Sequence, residues 1–412
     1  MPQYQCNVCR EELESNLTPF KCASCGAIAK GFTKREAFAP RSSPAPAGTG
    51  EIPAAKSTIA KPESGRVLVS FRPDRFEKDH SGARSTPAIT SSGMIVAVQN
   101  DTVIAVRQSK DGFIEAWKYK TGGFIPGSPV VGSDGGIRVH SGDGFLHILA
   151  EDGKSKVQPV PVGQPLGWAD PVVDKKNQTL VNHRDGGLIR VGPNGELPQR
   201  PYLRTSRRFD CTGVILDDTY YVADEDNRVH AIDILGDKGK DLWSDDLEKG
   251  KTDWYVNLAI QLTPSKTILA VCRKNRLYQF KIDGVLANSI TIDGCALARP
   301  TLCDNGDCLV PISQTGNNVG NLSCIRLDTG LVVWSYSTAS VIESVSVVSS
   351  DGVIYFGDGS GCLHAVSRDG KPLWTEDLDA PIRSGLLCVN DHTLAVLLND
   401  ANLCFIDVGS KN

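Results

Sequence analysis

"SSDGVIYFGDGSGCLHAVSRDGKPLW", Ser349 to Trp374, decides the fold. Short runs of Val, Ile, Tyr, Phe and Leu are separated by two turn signals, Gly357 to Gly361 and Ser367 to Gly370, and a tryptophan closes the last run. Runs of this length and composition, bounded by Gly and Asp, predict strands joined by tight turns. A meander of such strands buries neither face by itself, so it needs copies of itself on both sides.

The copies are present. Openings equivalent to Ser346 recur at Pro87, Pro129, Pro171, Gly213, Ala259, Pro300 and Leu386. The spacing, about 40 to 46 residues, is that of a four-stranded propeller blade. The first strand reads as in "SPVVGS", the second as in "GVIYFG" or "TYYVAD", and the third as in "GFLHILA" or "NRVHAID". The fourth often ends in Trp, at Trp117, Trp243, Trp334 and Trp374; repeats three, five and eight lack it. No stretch sustains a 3.6-residue apolar period, so helices are expected to be nearly absent. The eighth repeat, from about Arg383, supplies only three strands. "GRVLVSF", ending at Phe71, is expected to supply the fourth and leave no sheet edge open. The expected fold is all-β: an eight-bladed β-propeller, with seven blades as the alternative, over residues 65–412.

The repeat resembles the pyrroloquinoline-quinone-type (PQQ-like) blade, in which an Ala-x-Asp strand, a Thr-Gly or Asp-Gly turn and a Trp follow one another. "AIDILGDKGKDLW" (Ala231 to Trp243), "IRLDTGLVVW" (Ile325 to Trp334) and "AVSRDGKPLW" (Ala365 to Trp374) carry the resemblance, which spans about 85% of the chain. It implies the fold rather than an activity, because one architecture hosts many functions. Quinone-dependent dehydrogenases of this family hold the quinone against a disulfide between adjacent cysteines and use a calcium ion and an aspartate base. This chain has no adjacent cysteines, and no residue maps onto that aspartate. Neither PQQ nor a catalytic residue is therefore expected.

Other candidate chemistry has a plain structural reading beside it. No helix follows "GDGSG" to point amides at a phosphate, so it is a blade turn. His147, His230 and His364 occupy the same place in three blades, which predicts a shared packing role; as metal ligands they would have to meet near the central channel. His80, His140, His183 and His392 stand alone. Asp224, Asp226 and Asn227 are spaced for a calcium ion or for a self-bonded hairpin turn. Arg200, Arg204, Arg207 and Arg208 around Tyr202 and Phe209 form either a solvated loop or a docking site for an acidic partner or a nucleic-acid backbone.

The N-terminus is different. "CNVCREELESNLTPFKCASCG" sets Cys6 and Cys9, then Cys22 and Cys25, in two C-x2-C knuckles. Each knuckle aims two thiolates at one ion, and four thiolates close a tetrahedral Zn²⁺ site. The motif resembles a zinc ribbon, expected over residues 1–35 with one structural zinc. A segment this short has too little core to fold without its metal. Residues 36–64, rich in Pro, Ala, Ser and Gly, are expected to be a flexible linker that spans on the order of 30 Å.

The net charge of −4 carries no field that argues for nucleic acid, and the ribbon's basic and acidic residues nearly cancel. No apolar run approaches the roughly 18 residues of a spanning helix, so no membrane insertion is expected. The first residues show no basic then apolar pattern of an export signal, and cytoplasmic location is the expectation. The nine cysteines beyond Cys25 are expected to be reduced, mostly buried thiols; Cys303 and Cys308, flanking one turn, are the exception that could pair. The functional expectation is a non-enzymatic scaffold or subunit of a protein assembly, with the ribbon as a tethered second contact. The alternatives are a quinone- or metal-dependent oxidoreductase and a sensor that binds a ligand in the channel.

Overall fold

The computed structural model describes residues 3–6, 12–14 and 32–35 of one unit, Met1–Ser57, and residues 66–74 and 84–409 of a second, Thr58–Asn412; within the latter, 166, 168, 184–185, 198–201, 206–207, 210, 227, 247–259, 273–275 and 314–317 are not described. In the first unit Gln3–Cys6 is the central strand of an antiparallel sheet, between Glu12–Glu14 and Phe32–Arg35. Cys6 ends that strand opposite Phe32. Cys9, Cys22, Cys25 and the linker expected over 36–64 lie outside the described residues.

The second unit is an eight-bladed β-propeller, and no helix occurs among its described residues. Inner strands begin at Ala88, Val130, Val172, Val214, Ile260, Thr301, Val347 and Leu386, each at or one residue after the repeat opening seen in the sequence. The eighth sheet runs Leu386–Asn390, Thr393–Leu397, Leu403–Asp407 and then Val67–Phe71 as outer strand, with Phe405 opposite Val69. Middle strands read as unbroken apolar runs because neighbouring blades cover both faces; Ile95–Gln99 and Thr393–Leu397 are buried throughout. Outer strands have one wet face, so burial alternates along Pro372–Asp377.

The tryptophans bolt each blade to the next. Trp117, Trp243 and Trp334 donate their indole N–H to the carbonyls of Glu151, Ile282 and Arg368, at 2.7, 3.0 and 3.0 Å, in the last turn of the following blade. Each ring lies flat against the glycine of that turn: a Cβ on Gly153, Gly284 or Gly370 would come within 2.6, 2.8 or 2.5 Å of it. Those glycines also sit at positive φ, where a side chain strains the backbone. Two blades without Trp keep the bond by other means. Asn288 occupies the Trp position in the fifth blade and donates to Leu327 O at 3.0 Å, and in the third blade Tyr202 donates to Gly236 O at 2.9 Å. Trp374 meets the closing blade, where the chain is split, and Arg66 lies over its ring at 4.2 Å. The second blade, whose outer strand is only Val160–Pro161, also has no Trp there, so it joins repeats three, five and eight among the blades that lack it.

Candidate functional site

Strand direction alternates within each blade. One face of the propeller therefore carries the blade-to-blade connections and the second-to-third hairpins, and the opposite face carries the other hairpins. The residues just before each inner strand reach the first face beside the axis. There Thr86 N–H donates to Ser128, Ser128 N–H to Asp170 and Asp170 N–H to Thr212, each link crossing from one blade to the next.

Five charged residues at these positions converge on the axis. Arg299, before the sixth blade, donates to Asp170, before the third, at 3.0 Å, so an ion pair joins distant blades across the channel. Glu343, before the seventh blade, takes Arg84 on one oxygen and Arg383 on the other, both at 2.8 Å. The carboxylates are 12–13% exposed and the guanidiniums 27–38%, so the cations are the more solvent-facing partners and the anions the more covered. None of the five was singled out from the sequence. They lie one or three residues before a repeat opening, the one signal that marks them.

The three equivalent histidines do not meet near the channel. Each stays in its own blade and donates Nε2–H to a carboxylate of the preceding turn: His147 to Asp143 at 3.0 Å, His230 to Asp224 at 2.9 Å and His364 to Asp358 at 3.0 Å. On the other nitrogen, His147 and His364 accept from Tyr119 and Tyr336 of the preceding blade, while His230 meets Asp241 at 3.2 Å. Burial opposes charge on His230, yet the two carboxylates outweigh it and raise its pKa. Asp224 also accepts the N–H groups of Asp226 and Arg228, as a self-bonded hairpin does, and Asn227 lies outside the described residues. Among the described residues no three His, Cys, Asp or Glu side chains form a metal-holding group. His80 lies outside them; His183 and His392 sit on the third and eighth blades.

His140 ends the second strand of its blade and donates to Gly163 O at 2.7 Å. Asn182, at the same place in the third blade, donates to Cys211 O. Burial pushes His140 down to about 4, against the hydrogen bond to Gly163 and the nearby Asp143, which favour charge; His183 and His147 act with burial. The unfolded imidazole takes a proton below its ordinary 6.5, while the folded one stays neutral to about 4. Stability is thus complete above 6.5 and falls as pH drops through that window, by about 3 kcal/mol at most. His140→Asn, copying the third blade, is expected to flatten the dependence of Tm on pH between 6.5 and 4. An unchanged slope would show that this acid sensitivity resides elsewhere.

Two further sequence expectations are resolved. Cys303 and Cys308 are both free. Cys308 pairs with Leu302 and packs toward the fifth blade, while Cys303 lies with Cys324 in the cluster toward the seventh, so alternation puts the two thiols on opposite faces. In the arginine-rich stretch Tyr202 and Phe209 are buried and offer no stacking surface. Tyr202 lies under Arg190 at 4.2 Å, and Arg208 is paired with Glu225 at 2.9 Å. Arg204 is exposed; Arg200 and Arg207 lie outside the described residues.

The outer rim carries another kind of surface. Leu242, Val333 and Leu373 stand immediately before the closing tryptophans of three blades, and Leu331 and Val332 extend the sixth blade's strip; these five are 46–64% exposed. Beside the strip a cleft of about 730 Å³ lies between the sixth and seventh blades, and Val333, Trp334 and Val347 line it together with Asp304, Asp351 and Asp369.

Residues 225–410 match the family described as Outer membrane protein assembly factor BamB, PQQ_2. Among solved structures, BamB from Moraxella catarrhalis is similar over 83% of this chain and 99% of its own, at 15% identity and a TM-score of 0.65. Sqt1 of Saccharomyces cerevisiae is similar over 84% of this chain and all of its own (100%), at 9% identity and 0.67. The quinohemoprotein alcohol dehydrogenase of Comamonas testosteroni is similar over 84% and 77%, at 13% identity and 0.68. No curated relative matches the chain. These findings support a PQQ-like β-propeller repeat protein. At such identities the solved structures speak for the fold alone, and they include both an assembly factor and an enzyme. No helix among the described residues is long and apolar enough to cross a membrane.

Proposed function

We propose that this chain is a non-enzymatic scaffold or assembly subunit, located in the cytoplasm, whose propeller is a rigid platform for protein partners. The exposed aliphatic strip on the outer strands carries the reading. Single exposed apolar side chains are ordinary, but here they recur at one structural position in blades four, six and seven, and Val333 of the sixth also lines the cleft. The five charged residues at the channel are used in ion pairs, and the three equivalent histidines are tied to turn carboxylates, so these groups already have structural partners. The match to a family described by its assembly role points the same way.

The N-terminal unit is the second contact in this proposal. The C-x2-C spacing of Cys6, Cys9, Cys22 and Cys25 supports one structural zinc bound by four thiolates. Two contacts on one chain raise avidity through effective concentration. Native mass spectrometry of the protein purified gently from its own host tests the proposal. Co-purifying protein chains and one zinc are expected, with the chains lost from Leu331→Glu/Leu373→Glu although its Tm is retained. A bare monomer that carries a small organic adduct would instead favour the ligand sensor or oxidoreductase.

A further inference from the structure

The charged ring at the channel holds more hydrogen-bond donors than the carboxylates beside them satisfy. Asp170 is met by Arg299, and Glu343 by Arg84 and Arg383. Both oxygens of Glu343 are engaged by arginines, and Asp170 takes Arg299 on one oxygen and Ser128 N–H on the other. Arg299 contacts its carboxylate through one terminal nitrogen, and its buried Nε–H has no acceptor among the described residues. Arg383 lies with Nε 2.8 Å from Glu343 as an ion pair but outside hydrogen-bond geometry, so its buried Nε–H also lacks an acceptor among the described residues and its two terminal nitrogens remain. A buried or half-buried N–H without an acceptor costs free energy, so a surplus of donors around carboxylates that are already engaged favours a partner that is rich in acceptors and negative.

We infer that the channel mouth binds an oxyanion, carboxylate or phosphate, through the remaining N–H groups of Arg299 and Arg383, with Arg84 beside them. Guanidinium forks match the paired oxygens of such groups and form charge-assisted hydrogen bonds with them. The buried carboxylates beneath hold the forks in place in advance, so little ordering is lost on binding. A metal cation finds no such welcome, because guanidiniums already pair with both carboxylates and stand outermost. This site is separate from the rim used for the proposed docking, and neither depends on the other. The anion has two possible sources, a free small molecule or the acidic side chains of a protein.

Titration calorimetry of the full chain at constant ionic strength tests the inference, with inorganic phosphate in one arm and a tetraglutamate peptide in the other. Saturable binding is expected, weakened about tenfold or more in Arg383→Gln and in Arg299→Gln and unchanged in Arg208→Gln. Tighter binding of the peptide would assign the source to a protein, and tighter binding of phosphate would assign it to a free anion. Should either glutamine variant fail to fold, hydrogen exchange on the wild-type protein decides: phosphate or the peptide is expected to protect the amides of Arg299, Thr301 and Leu302 and of residues 383–387. Absence of saturable binding, equal binding by all variants, or protection confined to other blades would overturn the inference.

Discussion

A chain that begins at Arg72 is expected to lose its propeller, whereas a chain that begins at Gly65 is expected to melt close to the full-length protein. The difference is one strand. Val67–Phe71 is the outer strand of the eighth blade, and Val69 and Phe71 are buried in it. Phe71 meets Phe405 edge-on at 5.9 Å, and Phe405 stacks on Phe113 of the first blade at 4.1 Å, so the strand completes the cluster that closes the ring. Burial of the two side chains contributes about 3–6 kcal/mol, a large part of the stability of an ordinary domain. The loss also uncovers the edge of Leu403–Asp407 and removes Arg66 from Trp374. Thermal melting and the yield of soluble protein measure the effect. Equal melting of the two truncations would mean that the eighth blade stands on three strands.

Trp334→Ala is expected to cost about 2–4 kcal/mol, somewhat less than a fully buried ring because one edge stays wet. The indole contributes area against Gly370 and a hydrogen bond to Arg368 O, and denaturant unfolding of two replacements separates them. Trp334→Asn, which copies Asn288 of the fifth blade, retains a donor and is expected to fall between wild type and alanine. Gly370→Ala is expected to destabilise alone, because its Cβ would sit 2.5 Å from the ring at a φ of 77°. In Trp334→Ala/Gly370→Ala the collision is gone, so the double loss should be smaller than the sum. Strict additivity would show that ring and turn act independently.

Most of this fold could be read from the sequence because a propeller repeats its grammar. Pro87, Pro129, Pro171 and Gly213 each precede an inner strand by one residue, and the four closing tryptophans are too large to be mistaken. The stand-ins were invisible for a physical reason. The bolt needs a donor that reaches a turn carbonyl, and Asn288 and Tyr202 meet that need without resembling an indole. The ion pairs at the channel were hidden differently. Asp170 and Arg299 are 129 residues apart, and nothing in either local stretch indicates that three blades of rotation bring them face to face. Aligned repeats would have exposed them, since charge stands there where other blades place Thr86, Ser128 or Thr212. The cysteine knuckles are the reverse case: their spacing speaks clearly in the sequence, and three of the four residues lie outside the described structure.

The split blade also sets a clock. Val67–Phe71 is made before every other strand of the propeller, but its partner Leu403–Asp407 is translated more than three hundred residues later. At roughly 5–20 residues per second that interval is on the order of tens of seconds, far longer than strands take to pair. Throughout it the first-made strand is an orphan with an apolar face, and every finished blade waits on a ring that has no end. Ring closure therefore waits for the last strand of the propeller to be made, and the nascent chain depends until then on whatever shields the first-made one.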